Sequence, residues 1–528
     1  MAENSVRTPT RLLLLICVLS AAIRFAYLPY ATMTSNDRVY RTWIAWRWLS
    51  DPELITHGLW GPLHTYLIAL AMTVYPDPVL SPVVMQIVFE TATPLLVYLF
   101  VRNEQGSSRA AVAASLAYAL YPLAILNTLG LMTQPIFGFW VILGMLFLSY
   151  CRQPDGSWRH AALAGIAITF AGMIRYEGWM LIPFLAAVLW RKPRYLLVFL
   201  VFAMIHPVFW MIGNGLAYGE PLFGMSGATR WELESMDRAS IPLPDKVRMA
   251  INFVYQMLRW LTPPLAVVAG AGCIIAVIRK QRTVIWLIPL IGLLCLYLGA
   301  IIRGSLVPKF EYTQPVGFML MMYSAVTLRS LAIDQWSRKT MAMTLTAFGL
   351  TMFAFSYPPV LFPHALKLSV DPLPSFQNQE KIQEVIVPAV SEHLESEDDG
   401  YITDFYGFVQ SLYPAHALRL HPDRVFATTG APLLAPESRY DKLEALLVAH
   451  PKGLLLLHTG SRFAESLGYP NDQEFRVRDK RLHVERVWST PWPGFDDPRL
   501  RASYGGDPSA LVLYRYSLDS GSEHTRSR

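Results

Sequence analysis

"RLLLLICVLSAAIRFAYLPY", residues 11–30, decides how the rest of the chain is read. A bilayer crossing needs roughly 20 predominantly apolar residues, and this stretch is one such run. A short polar start carrying Arg7 and Arg11 precedes it, and no small-residue cleavage site closes it. More apolar segments follow, so an uncleaved first span fits better than a removable signal peptide. Composition agrees: the 528 residues are 53% hydrophobic and only 16% charged, with mean hydropathy +0.32. A soluble protein of this size carries about a quarter charged residues. The formal charge of +6 is not a nucleic-acid footprint, because Lys and Arg fall in small clusters between apolar segments. The four cysteines, at 17, 151, 273 and 295, lie in or beside those segments, so the polar C-terminal third has no disulfide framework.

Crossings are expected near 12–30, 79–101, 108–127, 133–150, 160–174, 178–190, 195–213, 262–279, 283–302, 313–331 and 340–358. The basic clusters "VRNEQGSSR" (101–109), "CRQPDGSWRH" (151–160), "WRKPR" (190–194), "RKQR" (279–282) and "QWSRK" (335–339) then fall on every second boundary. With the N-terminus they share one side, which the positive-inside rule makes the cytoplasm. The expected architecture is therefore a membrane all-α domain of about eleven helices, N-terminus inside and C-terminus outside. Residues 60–76, "WGPLHTYLIALAMTVYP", are apolar but short and hold His64; they are read as lying in or dipping into the outer interface. If they crossed, every later cluster would change sides.

The chain changes character after residue 358. "YITD" (401–404), "DRVFATT" (423–429), "GLLLLHT" (453–459), "LHVERVWS" (482–489) and "ALVLYRY" (510–516) read as strands, and "SRYDKLEALLVAH" (438–450) as a helix. The expectation is a membrane domain over 1–358, an extracytoplasmic α/β domain over 359–518 and a disordered tail over 519–528. No internal repeat is visible, which speaks against an inverted-repeat transporter.

On this topology "SNDRVYRTWIAWRWL" (35–49) lies outside, directly after the first span. Trp43, Trp46 and Trp48 with Tyr40 suit a helix along the interface, where aromatic rings sit at headgroup depth. Asp37 is held at the membrane surface by a short tether, where a carboxylate can serve as general base. "MIRYEGWM" (173–180) places Arg175, Tyr176 and Glu177 at the outer end of a tight helical pair, and "RGSLVPKFEYTQP" (303–315) adds Arg303, Lys309, Glu311 and Tyr312. Ion pairing or snorkelling accounts for either cluster alone. Two outward basic clusters against the positive-inside bias together invite an anionic ligand such as a lipid phosphate.

The order of these features resembles the C-type, multi-span glycosyltransferases that use polyprenyl-phosphate sugars. The most similar branch holds the protein O-mannosyltransferases and the aminoarabinose transferase of lipid A. "NDRVYRTWIAWRWL" resembles their first outer loop, with Asp37 at the acidic position. "GPLHTYLIAL" (61–70) resembles the start of their second interfacial helix, and "YPLAILNTLGLMTQPIFGFW" (121–140) a stretch ending in a Glu-Pro-Leu-Phe-like motif. "RYEGW" (175–179), "YGEPLFGM" (218–225) and "PKFEYTQP" (308–315) resemble further outer-side elements, so the likeness spans about 10–330. Three departures stand out: Arg38 where a second carboxylate is frequent, Gln134 where an acid is usual, and Lys309 where arginine is common. The first two weaken any two-carboxylate or metal scheme and leave a single-base mechanism intact.

The resemblance implies that a sugar on a polyprenyl-phosphate carrier is attacked at its anomeric carbon by an acceptor hydroxyl, outside the membrane, in one inverting displacement. Asp37 would be the base, with Arg175 and Lys309 holding the donor phosphate and Arg38 and Arg303 behind them. Tyr40, His64, Gln134, Tyr176, Glu177, Glu311 and Tyr312 would line the substrate cavity. Besides membrane lipids, the implied partners are the donor and a lipid, protein or glycan acceptor, with no nucleic acid, no cofactor and no obligatory metal. The acidic run "ESEDDG" (395–400) reads as a solvated loop. Glu90 lies inside a span, where an acid is either functional or held in a structural hydrogen-bonded role. Compact loops and the lack of Asn-X-Ser/Thr acceptor sites fit a bacterial inner membrane, and an archaeal plasma membrane nearly as well. The rival reading is a transporter or flippase for lipid-linked glycan, which explains many spans and outward cations but not a large outer domain.

Overall fold

The computed structural model describes residues 3–28, 36–54, 60–230, 233, 240–306, 308–356, 382–404, 408–427, 436–458, 462–469, 473–491 and 510–519. Contacts divide the chain into two compact units: 1–31, 53–67 and 83–370 form the first, and 32–52, 68–82 and 371–528 the second.

The first unit is helical. Among the described residues, four helices are each long and apolar enough to cross a membrane: Leu80–Gln105, Gln134–Cys151, Pro193–Tyr218 and Arg282–Arg303. Two bent pairs bring the number to six if each is one span. Proline sets both bends. Ser108–Ala119 and Pro122–Leu129 meet at 44°, and Leu243–Leu261 and Pro263–Ile278 at 105°. In the second pair Thr262 takes φ 72°, ahead of two prolines that begin the next helix. The segment read as interfacial holds Leu63–Val74, 12 residues. At about 1.5 Å per residue that is shorter than the roughly 30 Å hydrocarbon core.

Pro94 lies inside Leu80–Gln105. It has no N–H for the carbonyl of Glu90, one turn earlier, and in an apolar interior that oxygen needs another donor. Ser20 Oγ donates to it at 3.5 Å. The Glu90 side chain is satisfied nearby: Arg24 Nη2 reaches Oε2 at 2.9 Å, both side chains fully buried, and Tyr118 OH donates to Oε1 at 3.0 Å. Arg24 Nη1 also donates to Ser20 Oγ at 2.7 Å. The buried acid is thus bound into a hydrogen-bonded network with helix Glu3–Ala26 and Tyr118.

The second unit holds one six-stranded sheet in the order β2-β1-β3-β6-β5-β4. Its strands are β1 (Gly400–Asp404), β2 (Val425–Ala427), β3 (Lys452–His458), β4 (Glu474–Val477), β5 (Lys480–Pro491) and β6 (Ala510–Leu518). β1 pairs in parallel with β2 and β3, and the other pairings are antiparallel. Parallel neighbours need crossovers, and the helices Phe408–Ala417 and Pro436–Ala449 follow β1 and β2. Alternate residues of each strand face opposite sides. Tyr401, Leu454, Leu456, Leu511 and Leu513 join one core with Leu412, Tyr413, Ala415 and Val39. Ile402, Leu455, Leu457, Val512, Tyr514 and Tyr516 join the other with Leu443, Leu446 and Leu447. Both faces are covered, which is why "GLLLLH" runs apolar without alternating. Val39 comes from the helix Asn36–Ser50, the tryptophan-rich stretch read from the sequence as interfacial.

Candidate functional site

Helix Trp158–Gly172 ends at Met173 and the chain turns tightly into Glu177–Ala187. Gly178 permits the turn, since a Cβ there would lie 2.6 Å from the Gly172 backbone nitrogen. A second close approach docks the segment before Leu63–Val74 on the same turn. Leu63 N donates to Met173 O at 3.1 Å, and a Cβ on Gly61 would meet that oxygen.

The turn carries Arg175, Tyr176 and Glu177. Arg175 spends its whole fork: Nε and Nη2 donate to Glu177 Oε1 at 3.2 and 2.5 Å, and Nη1 donates to Thr133 Oγ1 at 2.8 Å. Its guanidinium carbon lies 4.9 Å from the centre of the Tyr312 ring, a cation–π distance. Tyr297 OH donates to Glu177 Oε1 at 3.3 Å, and the Tyr297 and Tyr312 rings stack at 6.2 Å. Burial acts against the Arg175 charge, but Glu177, Tyr297 and Tyr312 outweigh it and raise the pKa above its ordinary value. Arg175 is therefore a fixed, permanently charged cation, with side chains of both ion-pair partners only 13% and 15% exposed. Glu177 opens a helix, where the dipole favours a carboxylate.

Lys309 and Glu311 sit on the segment that supplies Tyr312. Their Nζ and Oε1 are 4.0 Å apart, with the lysine side chain 44% exposed and the glutamate 9%. Lys309 is thus the movable charge of the group and Arg175 the fixed one. Tyr176 OH accepts from Trp210 Nε1 at 3.1 Å, and burial pushes its own pKa up to about 12. Asn127 Nδ2 donates to Gln314 Oε1 at 2.6 Å. Gln134 is buried at the start of its helix, and its Oε1 has no hydrogen-bond partner among the described residues. His64 Nε2 lies 3.2 Å from Gln86 Nε2, whose amide also donates to Met132 O at 2.5 Å.

The structure therefore gathers Arg175, Glu177 and Tyr312, with Lys309 and Glu311 on the adjoining segment. Thr133 and Tyr297 complete the group and were missed in the sequence. Tyr297 is a lone phenol in the aliphatic run "LLCLYLGAII", which was its one signal. Arg303 is exposed at the end of Leu287–Arg303 and outside the group.

Asp37, Arg38 and Tyr40 belong to the second unit, on the first turns of Asn36–Ser50. The side chain of Asp37 lies outside the described residues. Arg38 is buried and donates from Nη2 to Val79 O at 3.1 Å; burial lowers its pKa to about 10, with Tyr413 acting the other way. Burial pushes Tyr40 up to about 12, opposed by Arg47. The acidic run at 395–399 folds as a turn in which Asp399 Oδ2 accepts from the backbone of Glu395 and Ser396 at 2.9 and 3.0 Å.

Residues 57–211 match the family model described as dolichyl-phosphate-mannose-protein mannosyltransferase. The match takes in His64, Gln134 and Arg175–Glu177, and leaves out Asp37 and Lys309–Tyr312. No curated protein matches the chain. Among solved structures, ArnT from Cupriavidus metallidurans bound to undecaprenyl phosphate superposes with a TM-score of 0.59 at 11% identity, over 94% of this chain and 97% of that one. Its apo form gives 0.58 at 12% identity over the same shares. The Archaeoglobus fulgidus oligosaccharyltransferase tethered with an acceptor peptide gives 0.50 at 14% identity, over 87% of this chain and 70% of that one. At such identities the likeness to each structure is one of fold. The sequence resemblance to C-type glycosyltransferases that use polyprenyl-phosphate sugars is upheld by the family match and the fold together.

Proposed function

We propose that the chain is a multi-pass membrane glycosyltransferase that moves a sugar from a polyprenyl-phosphate donor to an acceptor hydroxyl. The observation that carries this reading is the ArnT fold, matched over nearly the full length of both chains, in a relative described as bound to undecaprenyl phosphate. A family model named for a lipid-phosphate sugar donor supports it over 57–211.

The transfer is a single displacement on the outer side of the membrane. The acceptor oxygen bonds to the anomeric carbon as the bond from that carbon to the phosphate oxygen breaks, inverting the centre. The acceptor proton passes to Asp37, and the leaving group is polyprenyl phosphate. Its charge needs preorganised cations in a water-poor site. Arg175 supplies a fixed one and Lys309 a movable one; Arg38 and Arg303 are secondary candidates for the same charge. Eleven crossings of a bacterial inner membrane, N-terminus cytoplasmic, are the topology this reading carries.

The test incubates purified protein in lipid vesicles with labelled polyprenyl-phosphate sugars and a mixed acceptor pool. The expected result is free polyprenyl phosphate with the sugar on an acceptor. Intact donor moved across the vesicle wall, with none consumed, replaces the transferase by a flippase.

A further inference from the structure

The helix Asn36–Ser50 is built into the sheet unit by contacts spanning most of the chain. His416, on Phe408–Ala417, is fully buried against it. Its Nε2 lies 3.2 Å from Val39 O, in the helical turn that begins at Asp37. The ring stacks on Trp46 at 5.9 Å and meets Trp43 edge-on at 5.8 Å. On the same turn Arg38 donates to Val79 O at 3.1 Å, and at the far end Ser50 Oγ lies 3.4 Å from His421 Nε2. A carbonyl inside a helix already accepts from the residue four positions on, so Val39 O does not require the imidazole. Burying a polar ring costs free energy that an apolar ring of the same size avoids. A directed contact fixes the helix along and around its axis, which apolar packing does less strictly.

We infer that His416 is a positioning residue: through Val39 O, Trp43 and Trp46 it sets the turn that carries Asp37, so the C-terminal unit takes part in the transfer. This rests on the transferase reading above. The imidazole does so as the neutral ring with Nε2 as donor, which burial favours and the nearby Arg38 charge reinforces.

The test uses the full-length protein in detergent, comparing wild type with His416→Phe and His416→Gln. Phenylalanine keeps the ring between the tryptophans and loses the donor; glutamine restores a donor. For His416→Phe we expect kcat to fall about ten- to a hundredfold, the size that small misplacements of a reacting group produce. KM for the donor should change less than twofold, and His416→Gln should recover part of the loss. Hydrogen exchange should quicken in 36–50 and stay as in wild type in β1, β3 and β6. Unchanged kcat and unchanged exchange in 36–50 overturn the assignment, and so does a loss that comes with faster exchange throughout the sheet. The transferase reading is judged separately, from whether the wild type consumes donor at all.

Discussion

Arg175 donates twice to one oxygen of Glu177, at 3.2 and 2.5 Å, and sends its remaining nitrogen to Thr133 at 2.8 Å. A guanidinium held on three sides by two helix ends has little freedom to follow a ligand. It suits a charge that must be in place before the leaving group departs, the part proposed for it beside the more exposed Lys309.

Arg175→Lys tests that part. Lysine keeps the charge but cannot span Glu177 and Thr133 together. Losing a hydrogen bond to a charged group costs about 1.5–3 kcal/mol, so donor turnover should fall roughly ten- to a hundredfold. Turnover within twofold of wild type would show that only the charge matters there.

The Arg24–Glu90 pair, 2.9 Å apart and fully buried, should act on stability and not on the reaction. Removing one partner of a buried pair costs about 3–5 kcal/mol, because the other charge stays behind. Glu90→Ala should melt well below wild type, and Arg24→Met with Glu90→Leu should regain most of the loss. A thermal melt of the three proteins in one detergent decides it. If Glu90→Ala folds as wild type and is inactive, the acid has a part in the chemistry.

His416 makes stability depend on pH in a defined window. Burial is the main cause holding its pKa at about 4, below the ordinary 6.5. The unfolded chain then binds the proton first, so stability falls as pH drops below about 6.5 and the loss levels off below about 4. At roughly 1.4 kcal/mol per unit of pKa the whole effect is about 3 kcal/mol. Unfolding followed from pH 7.5 to 4 should show a steeper loss in wild type than in His416→Gln. Parallel curves would remove His416 as the cause.

Gly178→Ala should break the turn that aims Arg175. Its Cβ would lie 2.6 Å from Gly172 N and 2.8 Å from Ala171 C, all backbone. Nothing there can rotate away, so the two helices must part. Activity should fall at least about tenfold, since overpacking of this kind costs roughly 1–3 kcal/mol and moves a placed charge. Wild-type activity in this variant would mean the turn tolerates the shift.

Much of this was legible in the sequence where the signal was local. Arg175 and Glu177 stand two positions apart, so their pairing could be read from one heptapeptide. The alternating or unbroken apolar runs of β1, β2, β3, β5 and β6 marked strands. β4 escaped because exposed Arg476 lies between buried Phe475 and Val477 in a charge-rich stretch with no apolar run. Hydropathy reads apolar length and not helix bends, so it left unread the 105° turn between Leu243–Leu261 and Pro263–Ile278, where Thr262 takes φ 72° ahead of two prolines. Tyr297 and Thr133 reach the Arg175 group from ordinary-looking helices. The seat of Val39 against His416 lies 377 residues away along the chain, a separation no local pattern reports.

The proposed transfer stands most directly on Asp37. The measurement is donor binding and donor turnover, made separately on wild type and Asp37→Asn in the same detergent. Loss of a general base typically costs about 10²–10⁴-fold. Asp37→Asn should bind donor as wild type does while turnover falls by that amount. Equal turnover by the two proteins would contradict it, and the base would have to be sought elsewhere.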